Sequence, residues 1–103
     1  MTASAFLREK LRNAALAITD GDGPMQERLR SAYLYNLSGL QEEDFPDAEG
    51  LAAYMDIRAA LSKFGEAMEG AGDIPTTLWM MSDEQAADIG ERIVALARRY
   101  GEI

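Results

Sequence analysis

The 103-residue chain contains no cysteine and no histidine. Without cysteine there is no disulfide framework and no thiolate chemistry, which fits a reducing cytosol. Without histidine, serine–histidine and cysteine–histidine catalysis are excluded, as are zinc sites of ordinary composition and haem ligation by histidine. The di-iron sites of four-helix bundles need Glu-x-x-His on facing helices, so they are excluded as well. Basic residues are scarce: ten Lys and Arg stand against eighteen Asp and Glu, a net charge of −8 with a pI near 4.4. Direct nucleic-acid binding needs a basic footprint and is not expected. Long apolar runs are missing too. The N-terminal apolar stretch is interrupted by Arg8, Glu9, Lys10 and Arg12, so neither a signal peptide nor a membrane span is expected. No glycine loop cradles a phosphate, because neither "GDG" nor "GAG" leads into Gly-Lys-Ser/Thr or completes Gly-x-Gly-x-x-Gly. These gaps argue against an enzyme, and no cofactor or metal is expected.

What is present is the composition of a folded domain, 48% hydrophobic with 27% charged. The length suits one domain with a core that needs no staple. Charge is unevenly spread. Residues 1–41 carry a net +1, residues 42–73 a net −7 and residues 74–103 a net −2. The middle of the chain is either a solvated acidic face or a surface for a basic partner.

The periodicity is helical throughout. Phe6, Leu7, Leu11, Ala14, Ala15 and Ile18 recur at spacings that predict an amphipathic helix over 3–19, capped by Ser4 or Thr2. "TDGDGPM" follows and resembles the opening of a calcium loop. Counted from Asp20, position 5 of an EF-hand loop is Pro24, position 6 is Met25 and position 12 is Ser31; counted from Asp22, Pro24 falls at position 3. Neither register supplies the ligands. The stretch reads instead as a turn between antiparallel helices, with Gly21 left-handed at the end of one and Pro24 in the first turn of the next.

A second helix is expected over 24–40. Met25, Leu29, Ala32, Tyr33, Asn36, Leu37 and Leu40 share one face, Leu34 lies to its side and Tyr35 nearly opposite. A helix apolar around most of its circumference is either central in the bundle or faces a second subunit. "QEEDFPDAEG" must break the chain, since Phe45 before Pro46 is pushed toward an extended backbone. Asp47 is placed to cap a third helix over 47–69, whose Leu51, Tyr54, Ile57, Leu61, Phe64 and Met68 resemble a short coiled-coil seam. "TTLWMM" reads as a short helical turn before the last helix, with Trp79 and Met80 either plugging the core or facing a partner. The last helix has the clearest start in the chain, a capping box from Ser82 to Gln85. Ala86, Ile89, Ile93, Leu96 and Tyr100 form its stripe, Arg98 and Arg99 lie in its last turn, and Gly101 stops it.

"LREKL", "QERLRSAYLYNLSGLQEEDFP" and "MSDEQAADIGERIVALARRY", in that order, resemble a group of small bacterial proteins of about this length that are all-helical and functionally uncharacterised. The resemblance covers about half the chain and rests on packing and capping motifs. It implies the fold and a bacterial cytosolic setting, and it transfers no site.

The expected architecture is therefore all-α, a single-domain four-helix bundle with a short helical turn before the last helix. The expected role is a non-enzymatic interaction or accessory protein with a protein partner, or with itself as a homodimer. Leu34, Tyr35, Trp79 and Met80 are the apolar candidates for contact. Glu42, Glu43 and Asp44 are the acidic ones, and under the alternative reading they belong to an inhibitor or nucleic-acid mimic that fills a basic groove.

Overall fold

The computed structural model describes residues 3–62 and 81–102. Among them are four α-helices and no strand: α1 (Ala5–Thr19), α2 (Met25–Tyr35), α3 (Ala48–Ser62) and α4 (Asp83–Arg99). Two 3-10 turns, Leu37–Gly39 and Glu42–Asp44, lie between α2 and α3. The fold is the all-α four-helix arrangement the periodicity predicts. The helical turn expected at 76–81 falls, but for Met81, outside the described residues, as does the part of the third helix expected beyond Ser62.

Ser4, not Thr2, is the N-cap of α1; its hydroxyl accepts from the Leu7 N–H at 3.1 Å. The helix buries Leu7, Leu11, Ala14, Ala15 and Ile18, a stripe about 100° wide. Phe6, expected on that stripe, is 46% exposed, with the Lys10 ammonium 5.7 Å from its ring centre. Phe6 lies 100° behind Leu7, where α1 turns away from its neighbours.

The turn to α2 closes differently from expectation. Gly23, not Gly21, is left-handed, with φ +86°. Gly21 is needed for another reason: a Cβ there would lie 2.3 Å from the Ala17 carbonyl oxygen. Pro24 stands at the N-cap position and its carbonyl accepts from Glu27 and Arg28. The Arg28 guanidinium donates to the Gly23 carbonyl at 3.1 Å and the Ile18 carbonyl at 3.2 Å. A cation of the protein's own therefore already holds one carbonyl of the loop and one of the last turn of α1.

The helices alternate in direction. The turn at 20–24 sets α2 antiparallel to α1. Gln26, at the start of α2, donates to the Met81 carbonyl at 3.1 Å and to Asp83 at 3.0 Å, so α2 and α4 begin side by side. At the other end Arg8 pairs with Glu102 at 2.8 Å, and Asp47, just before α3, meets Arg99 and Tyr100. Thus α1 and α3 run one way, α2 and α4 the other.

The central helix is α4, which packs against α1, α2 and α3. It buries Ala86, Ile89, Gly90, Ile93, Val94, Leu96 and Ala97, an arc of about 160°. Gly90 lets it approach the first two helices, since a Cβ there would lie 3.2 Å from both Ile18 and the Met25 sulfur. The capping box is formed as read: Gln85 N–H to the Ser82 hydroxyl at 3.1 Å, Ser82 N–H to the Gln85 side chain at 2.9 Å. At the far end Gly101 has φ +76°; its N–H reaches the Arg98 carbonyl and that of Glu102 the Ala97 carbonyl. Those two bonds are a Schellman motif.

The second helix is not central. It ends at Tyr35 rather than 40 and buries only Leu29 and Ala32 within its span. Asn36, at φ −134° and ψ −64°, breaks it, and Leu37–Gly39 continues as a 3-10 turn. Tyr54 explains why the break is stable. Its hydroxyl, from inside the core, donates to the Leu37 carbonyl at 2.8 Å and lies 3.2 Å from that of Leu40. Leu37 and Leu40 remain buried as expected, reached by a tighter turn instead of a longer helix.

Candidate interaction surface

Leu34 and Tyr35 end α2 on the side away from the core, 38% and 72% exposed. Their neighbours in sequence, Ala32, Asn36 and Leu37, are buried, so the exposure belongs to one side of the helix and not to a frayed end. The Ser38 hydroxyl donates back to the Leu34 carbonyl at 3.0 Å, satisfying one acceptor of the terminus beside this pair. Phe6 is exposed at the N-terminal end of α1, the end toward which antiparallel α2 runs. Trp79 and Met80, the other apolar candidates, lie outside the described residues.

The acidic segment is divided between fold and surface. Glu42 and Glu43 are exposed. Asp44 is half-buried and employed locally: its carboxylate accepts from the Gln41 N–H at 2.7 Å and its own N–H returns to the Gln41 carbonyl at 3.0 Å. Phe45 is extended before Pro46, as expected, and its ring stacks on Tyr54 with centroids 4.8 Å apart.

Asp47 does more than the capping expected of it. One oxygen accepts from the Gly50 N–H at 3.0 Å, the cap proper. That same oxygen takes the Arg99 guanidinium, Nε at 3.0 Å, while the other takes the Tyr100 hydroxyl at 2.6 Å. Arg99 also reaches Glu49 at 3.0 Å. The Tyr100 hydroxyl and the Arg99 guanidinium pull the Asp47 carboxyl down to about 2. Burial, with the Asp47 charge added, pushes Tyr100 up to about 12, and its bond to Asp47 raises Arg99 further above its usual value. Gly50 is where the tyrosine sits, since a Cβ there would fall 1.8 Å from its oxygen. This clasp joins the start of α3 to the end of α4. Three of the five carboxylates between 42 and 49 thus serve the fold, leaving Glu42 and Glu43 as the freely presented pair.

Beside the clasp, a groove of about 470 Å³ runs between α3 and α4, with Ala53, Asp56 and Glu49 from one helix and Arg92, Leu96 and Arg99 from the other. Its cations are engaged, Arg99 as above and Arg92 with Asp88 at 2.9 Å. Among the described residues no three carboxylates gather where a metal ion could be held. None of their helices is long and apolar enough to cross a membrane.

Two features escaped the sequence reading. The clasp is one, because nothing in the sequence pairs positions 47 and 99. The other is a second stripe on α3: Ala48, Ala52, Met55 and Ala59 are all exposed, opposite the buried Gly50, Tyr54, Ile57 and Leu61. Its 4-3-4 spacing was the signal, hidden by the stronger aromatic and aliphatic seam.

No protein-family model matches the chain, and no curated protein or solved structure matches it either. The functional reading therefore rests on the surface itself.

Proposed function

We propose that this chain is a non-enzymatic interaction protein of the bacterial cytosol that acts through its helical surface, with a second copy of itself as the first partner. The observation that carries the reading is Tyr35, 72% exposed beside Leu34 on the outer side of an ordered helix. Tyrosine is over-represented where interfaces concentrate their energy, because it supplies a large rigid contact with a polar tip. Twofold homodimers are the commonest oligomers, and such a contact places Tyr35 of each copy near the axis. The apolar area offered by Leu34, Tyr35 and Phe6 is small beside the roughly 800 Å² per partner of a standard interface, so the association is expected to be weak. The bacterial cytosolic setting comes from the sequence resemblance and the absence of cysteine.

Sedimentation equilibrium tests the self-association, with Tyr35→Ser as the control. Affinity capture from cytosol at low and high salt separates this reading from the acidic alternative. A partner held in high salt and lost with Tyr35→Ser supports the α2 surface. One released by salt and lost with Glu42→Gln/Glu43→Gln supports an acidic face, because exposed charge contacts are screened.

A further inference from the structure

We draw no further inference here: the strongest candidate, the exposed stripe of Ala48, Ala52 and Met55 on the outer face of α3, is a surface patch of mostly small residues, and nothing in the structure shows what covers it.

Discussion

Replacing Tyr54 by phenylalanine removes one oxygen from the middle of the protein and little else. The ring is 1% exposed and stacked on Phe45, and phenylalanine keeps that packing. What disappears is the bond to the Leu37 carbonyl at 2.8 Å, the approach to the Leu40 carbonyl at 3.2 Å and the hydroxyl's interaction with the Arg58 side chain. The Leu37 oxygen still accepts from the Leu40 N–H at 3.1 Å, so it is only partly deprived. A lost buried hydrogen bond costs about 1 kcal/mol, and an acceptor left dry adds to that, giving about 1–2 kcal/mol for Tyr54→Phe. In a domain of this size that lowers Tm by roughly 4–8 °C per kcal/mol. Tyr54→Ala also removes the ring and should cost about 3–5 kcal/mol. Urea denaturation followed by circular dichroism reads both, with a lower midpoint and an unchanged slope for the phenylalanine variant. If Tyr54→Phe melts with the wild type, the hydroxyl does not hold the break between α2 and its 3-10 turn, and the account of why α2 stops at Tyr35 is wrong.

Three further outcomes follow from the caps, the clasp and the first turn. Ser82→Ala should destabilise by about 1 kcal/mol, the usual worth of an N-cap; an unchanged urea midpoint would mean α4 does not depend on its capping box. Asp47 is held at about 2 against 3.8 in the unfolded chain, so its stabilisation is complete above pH 4 and lost as pH falls toward 2. Tyr100, pushed up from 10.0 to about 12, stabilises below pH 10 and ceases to as pH rises toward 12. Asp47→Asn should flatten the acid limb of stability against pH and Tyr100→Phe the alkaline limb; limbs unchanged in both variants would refute the clasp. Millimolar calcium should give no heat in isothermal titration and leave Tm unaltered, because Arg28 occupies the Gly23 carbonyl of the turn and the Ile18 carbonyl at the end of α1; a rise of several degrees would overturn that reading.

The local signals in the sequence were the reliable ones. Ser82 and Gln85 face each other three residues apart, and a reciprocal cap needs nothing from elsewhere in the chain. The stripe of α1, Phe6 excepted, was legible for the same reason, as was the break at Phe45–Pro46. Where tertiary contacts decided, the reading slipped. The face from Met25 to Leu40 has an unbroken helical period, yet the helix gives way at Asn36 because a tyrosine eighteen residues later supplies the hydrogen bond that makes a tighter turn stable. Arg99 looked like a cation for the helix terminus, and Asp47 like a cap. Their pairing across 52 positions is a consequence of α3 and α4 lying antiparallel, which periodicity does not encode. Of the candidate contact residues, Leu34 and Tyr35 were legible as off-face positions. The division of the acidic segment was not, because Asp44 and Asp47 reveal their work only once their partners are in place.

Sedimentation equilibrium of the wild type and Tyr35→Ser, across micromolar concentrations at moderate salt, decides whether the outer face of α2 joins two copies of the chain. Tyr35 is exposed and its replacement leaves the core untouched, so the variant should fold with an unchanged circular dichroism spectrum. The expected result is a wild-type mass that rises from one chain toward two with concentration, while Tyr35→Ser stays at one chain throughout. A wild type that remains at the mass of one chain, or a variant that dimerises equally well, would contradict self-association through the outer face of α2.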